Sequence, residues 1–188
     1  SFQIDPKTSQ LLKEALPKLE HVSGERVLHE LEAVLKEEDR VAILQSLADM
    51  GVLTAIHLGL AFGAEAQQAF RGLEGNSAPE ESQLAPAHIA LLLWLMHLPA
   101  PELHGIAKRL RLPNELKAAA LAASQLRPEL SSLRDMPPSQ IAKRLDREPH
   151  LALLALRETA SEVGKVWLTR YLEEWRDLKP NTSGHTLE

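Results

Sequence analysis

The chain has 188 residues, 44% of them hydrophobic, with no cysteine and a formal net charge of −5. That is enough apolar material for a buried core, and the missing thiols exclude disulfides, thiolate metal sites and cysteine nucleophiles. A cytoplasmic, reducing setting is the simplest expectation. The first ten residues, SFQIDPKTSQ, have neither a basic n-region nor an apolar h-region, so no secretory signal is expected there. The charge is uneven. Residues 105–147 hold nine Lys/Arg (Lys108, Arg109, Arg111, Lys117, Arg127, Arg134, Lys143, Arg144, Arg147) against four acids (Glu115, Glu129, Asp135, Asp146). A basic middle in an acidic chain points to a local anionic partner, although solvated helix faces give the same letters.

Almost every segment repeats its apolar residues with helical period, and no alternating β-branched run occurs, so the predicted fold class is all-α: a multi-helix bundle of helical hairpins, partly repeat-like. Asp5 before Pro6 is a helix start, with a helix expected over Pro6 to Leu19. Ser23 is placed to cap the next helix, in which Val27, Leu28, Leu31, Val34 and Leu35 share one face while Arg26 and Glu30 lie one turn apart, an ion-pair spacing. A helix from Asp39 to Met50 should stop at a left-handed Gly51. Helices over Val52 to Leu60 and Ala64 to Leu73 follow, and the polar stretch Glu74 to Gln83 reads as a loop and domain boundary. The apolar run His88 to Leu98 is far shorter than the roughly 20 residues of a bilayer span, so it is expected to be a buried helix and no membrane partner is expected.

Beyond it IAKRL occurs twice, at Ile106–Leu110 and Ile141–Leu145, each with proline upstream (Pro101; Pro137 and Pro138) and a second helix downstream. The 35-residue offset resembles the unit of a helical stack. A last helix, Ser161 to Leu178, spaces Trp167, Tyr171 and Trp175 along one side, as core packing or as a docking face. Leu187 and Glu188 read as a possible tag scar.

Catalytic constellations are missing. His29-Glu30 would open HExxH, but residue 33 is Ala. Glycines are scattered rather than gathered in a phosphate loop, and the aspartates never come within two residues of one another, so no DxD pair offers two metals a ligand set. His88, His97 and His104 form the one His-rich neighbourhood, where buried imidazoles are more frequent than ligands. No GxSxG elbow is present. No catalytic residue, no metal ligand and no cofactor is therefore assigned to this chain, which by itself is expected to be inactive.

Several segments resemble a known family in order along the chain. F-x-I-D-P-x-T (Phe2–Thr8), V-S-G-E-R-V-x-x-E-L (Val22–Leu31) and L-A-D-M-G-V-L (Leu47–Leu53) look like the region that follows the catalytic head in bacterial class II tRNA nucleotidyltransferases and poly(A) polymerases. RLRLPNEL (Arg109–Leu116), YLEEWRDLKP (Tyr171–Pro180) and SGH (Ser183–His185) match more loosely; the last stops before the family's Lys-Pro-Gly. In that family the head adds CCA, or A alone, to RNA 3′ ends. The resemblance implies that residues 1–75 are a neck-like RNA-binding region and 84–186 a helical body and tail. It implies a neck motif of Ser23, Glu25, Arg26 and Glu30, and partners in tRNA or other RNA and in the catalytic head of the same polypeptide. Mg and ATP or CTP would belong to that head. Glu38-Asp39-Arg40 lacks the family's E-D-x-x-R spacing and is given no nucleotide-selecting role.

Charge density nominates Lys108, Arg109, Arg111, Lys143, Arg144 and Arg147 as RNA-binding, forming one ridge if the two IAKRL hairpins stack. The competing reading is a helical protein-interaction adaptor docking through Trp167, Tyr171 and Trp175, with no RNA role. Oligomeric state is not legible from the sequence.

Overall fold

A computed structural model describes residues 5–71, 85–133 and 136–176. Among the described residues there are eleven α-helices and no strand: α1 (Pro6–Ala15), α2 (Gly24–Lys36), α3 (Arg40–Asp49), α4 (Val52–Ile56), α5 (Ala64–Arg71), α6 (Ala85–Leu95), α7 (Ala100–Leu110), α8 (Asn114–Leu126), α9 (Pro138–Leu145), α10 (His150–Thr159) and α11 (Glu162–Arg170). The chain is all-α. Leu73, the expected loop Glu74–Gln83 and the expected tail features from Leu178 onward lie outside the described residues.

Helix α6 is apolar all round, and a helix of that kind is stable only when neighbours cover every face. They do: α2, α5, α8 and α10 all pack against it, and Leu91, Leu92, Leu93 and Leu95 are fully buried. Trp94 lies edge-on to Phe62, which in turn meets Phe70, at centroid separations of 5.8 and 5.7 Å. One continuous apolar cluster runs from Val27 to Tyr171.

Local signals act where the sequence places them. The Lys7 amide donates to Asp5 Oδ1 at 2.9 Å, and the Arg26 amide donates to the Ser23 hydroxyl at 3.3 Å. Gly51 adopts φ +75°, the left-handed conformation that glycine takes without a Cβ penalty. Val27, Leu28, Leu31 and Leu35 are buried along α2, with Val34 half-covered.

Three expected helices are shorter than the periodicity suggests. The first ends at Ala15 and tightens into a 3₁₀ turn over Leu16–His21, because Pro17 has no N–H to give and disfavours α geometry at Leu16. The expected Val52–Leu60 helix breaks at His57, whose backbone is extended and whose Nδ1 accepts the Gly59 amide at 3.1 Å, leaving a separate 3₁₀ turn at Leu58–Leu60. The last helix widens after Arg170 into a π turn, Tyr171–Trp175, closed by the Arg176 amide on the Tyr171 carbonyl at 2.9 Å.

The duplicated pentapeptide sits in the same register in α7 and α9: Ile106 and Leu110, and Ile141 and Leu145, are all buried. Both partner helices start after a proline, Pro113 and Pro149. The stack runs through those partners, α8 against α10, while α7 packs on α2 and α9 leans on the Tyr171–Trp175 turn. Tyr171 is 2% exposed and its hydroxyl donates to Asp146 at 2.7 Å. It is therefore core, and the three-aromatic docking face of the adaptor reading does not form. Trp167 and Trp175 instead flank Arg170, whose guanidinium carbon lies 5.8 and 5.2 Å from their rings.

Candidate nucleic-acid interface

The neck motif and the first IAKRL helix meet although more than eighty residues separate them. Gly24, the first residue of α2, lies against the last turn of α7; a Cβ built there would come within 2.3 Å of the Arg109 carbonyl oxygen. Only glycine permits that approach. The half-buried Arg109 guanidinium reaches back and donates to the carbonyls of Leu19 at 2.7 Å and Val22 at 3.2 Å. Leu19 lies in the turn that Pro17 forced out of α geometry and the extended Val22 follows it, so Arg109 supplies donors where no α ladder continues. Arg111, in a left-handed conformation at φ 52°, ends α7 and places its guanidinium 2.6 Å from Glu25. The Glu25 carboxyl is held below its usual range, first by a backbone amide of its own segment and then by Arg111.

A crevice results, walled by His21, Ser23, Gly24, Gly105, Lys108 and Arg111. Gly105 is kept side-chain-free by the His57 ring, which a Cβ would approach to 2.8 Å. Lys108 and Arg111 are exposed at the lip. Among the described residues Lys108 has no ion-pair partner, and Arg111 is tied only to a carboxylate that is itself exposed. Exposed pairs of this kind are weak and exchange readily for a phosphate.

The remaining nominated residues are distributed differently. The Arg26–Glu30 ion pair suggested by the spacing does not form; both side chains are exposed, and Glu25 pairs with Arg111 instead. On α9, Arg144 is engaged internally by Glu148 and by Glu129, the latter at 3.0 Å, and these two carboxylates hold its guanidinium more firmly protonated. Lys143 and Arg147 are exposed with no ion pair among the described residues. Two exposed basic pairs result, Lys108 and Arg111 beside α2 and Lys143 and Arg147 at the end of α9. Arg109 and Arg144 are committed to protein partners.

Residues 1–62 match the family model described as "Probable RNA and SrmB- binding site of polymerase A". The match covers the first third of the chain and supports a helical region related to poly(A) polymerases and tRNA nucleotidyltransferases, with RNA as a partner. No curated protein matches the chain. The match contains Ser23, Gly24 and Glu25, the α2 side of the crevice, whereas Lys108 and Arg111 on the other side come from beyond it. No described helix is long and apolar enough to cross a membrane.

Two features escaped the sequence reading. Gly24 carries no local signal that distinguishes a close helix approach from an ordinary helix start. The His neighbourhood resolves into three unrelated settings: His88 bonds Glu32 at 3.2 Å, His104 bonds the Ala100 carbonyl, and His97 is paired with Arg127 at a separate cleft.

Proposed function

We propose that this chain is the RNA-positioning helical region of an RNA 3′-end nucleotidyltransferase, of the CCA-adding, A-adding or poly(A)-synthesising kind, whose catalytic head lies on the same polypeptide. The observation that carries the proposal is the crevice, where a turn inside the RNA-binding match is joined by Lys108 and Arg111 from the body. Phosphate contacts fix register and orientation without reading sequence. A basic pair held against the Ser23–Gly24 turn would therefore seat one stretch of backbone, and the second pair at Lys143 and Arg147 would seat another. Binding the RNA at such points places its 3′ end relative to a distant reaction centre, which is a contribution of proximity rather than of chemistry. Mg and the ATP or CTP consumed in the reaction would be held by the head.

The test is a tRNA titration across a salt series. Affinity should fall steeply with salt, and each phosphate contact removed should lower the logarithmic salt slope by nearly one unit. Lys108→Glu with Arg111→Glu should flatten the slope, as should Lys143→Glu with Arg147→Glu, and no variant should incorporate nucleotides when given magnesium and triphosphates. Binding that ignores salt, or survives both double reversals unchanged, would remove the assignment.

A further inference from the structure

A cleft with a volume of about 750 Å³ opens among the start of α5, the end of α6, the turn at Arg127 and the α10–α11 junction, within the roughly 300–1,000 Å³ of small-ligand sites. It shares no residue with the crevice beside α2. His97 forms its inner wall with a side chain 13% exposed. Its Nε2 atom is buried without a hydrogen-bond partner, and its Nδ1 is hydrogen-bonded to the Arg127 guanidinium and lies 3.8 Å from the Glu65 carboxylate. A guanidinium can only donate, so Nδ1 is the acceptor and the neutral ring carries its proton on Nε2. Glu65 and Arg127 both converge on this one nitrogen, yet no ion pair joins them. The cleft therefore presents an acceptor-only head beside a donor-only head, over an apolar floor that includes Ala69, Leu130 and Ala160.

From this juxtaposition we infer that the cleft receives a nucleobase edge, and that it selects guanine. Guanine offers N1–H and N2–H to a carboxylate while O6 and N7 accept from a guanidinium. Adenine can offer Glu65 only N6–H and cytosine only N4–H, so neither fills the carboxylate twice while also filling the guanidinium, as guanine does. Uracil can satisfy each head only once. Glu158 also lines the cleft but is ion-paired with Arg157 at 3.4 Å, so the exposed heads are one carboxylate and one guanidinium, a balance that does not favour a free polyphosphate. The base can arrive on a bound RNA strand or as a free nucleoside. Only its source rests on the RNA reading above; the recognition chemistry does not.

The experiment follows the ring-nitrogen NMR signals of His97 in the full chain during titration with guanosine, adenosine, cytidine and uridine, then with short single-stranded RNAs that contain one guanine or none. Guanosine, or the guanine-containing strand, should shift His97 with about tenfold higher affinity than its adenine counterpart. A response to guanosine assigns a nucleoside site, and a response to the strand alone assigns a base delivered by RNA. Glu65→Ala with Arg127→Ala, both at exposed positions, should abolish the selectivity while the thermal midpoint verifies the fold. Equal shifts by all four bases, unmoved His97 signals, or selectivity retained in the double variant would overturn the inference. Lys108→Glu with Arg111→Glu should leave guanosine binding intact. Loss of guanine selectivity alongside normal salt-dependent tRNA binding would remove the cleft and leave the crevice standing.

Discussion

Gly24→Ala tests the junction between the RNA-binding match and the body. In an isolated helix the change stabilises by up to about 1 kcal/mol, because alanine is the better helix former. Here the added methyl would sit 2.3 Å from the Arg109 carbonyl oxygen and 3.0 Å from the Leu110 carbonyl carbon. Both neighbours are backbone, so relief requires α2 and α7 to move apart. Such overpacking costs about 1–3 kcal/mol, and the movement also stretches the Arg109 bonds to Leu19 and Val22. The expected net loss is about 2 kcal/mol, which lowers a urea midpoint by about 1 M at an m-value of about 2 kcal/mol/M. Thermal unfolding should shift down by about 4–8 °C for a chain of this size. Gly63→Ala is the control: nothing lies within 4 Å of its Cβ position, and its midpoint should fall only by the fraction of a kcal/mol, about 0.5, that alanine costs at the N-cap of α5. An unchanged or raised midpoint for Gly24→Ala would refute the close approach and with it the crevice geometry.

Arg109→Met keeps the apolar stem and removes two donors from the Leu19 and Val22 carbonyls, so stability should fall by about 2 kcal/mol in chemical denaturation, and protection of the Leu19–Val22 amides from hydrogen exchange should drop. Burial, then the Asp146 contact, raises the Tyr171 hydroxyl well above its ordinary value. The folded state therefore holds this proton longer than the unfolded one, and stability should decline by up to about 1.4 kcal/mol per pH unit above roughly pH 10. Tyr171→Phe should flatten that alkaline limb, and an unchanged slope would disconnect Tyr171 from it. Burial, then Arg127, lowers His97 below its ordinary value, so the unfolded chain takes up the proton first and stability should fall as pH drops below about 6.5. His97→Asn should weaken that acid limb in pH-dependent thermal melts.

The sequence alone determined the helical class, the Asp5 and Ser23 starts, the left-handed Gly51 and the burial of the His88–Leu98 run, because each depends on residues within a turn or two of each other. The polymerase-type RNA-binding match is likewise written in contiguous letters. What the sequence left open was how each cation is used. Lys108, Arg109 and Arg111 look alike in a charge count, and only tertiary placement made Arg109 an internal strut while leaving Lys108 in solvent. The same holds for Arg144 between two carboxylates and for Lys143 and Arg147 outside them. Whether two IAKRL helices form one ridge depends on packing directions that a repeat does not encode, and here the stack runs through α8 and α10. Charge and periodicity are properties of local sequence; a hydrogen-bond partner eighty or ninety residues away is a property of the folded chain, and that distant partner decides which arginine is free to meet an anion.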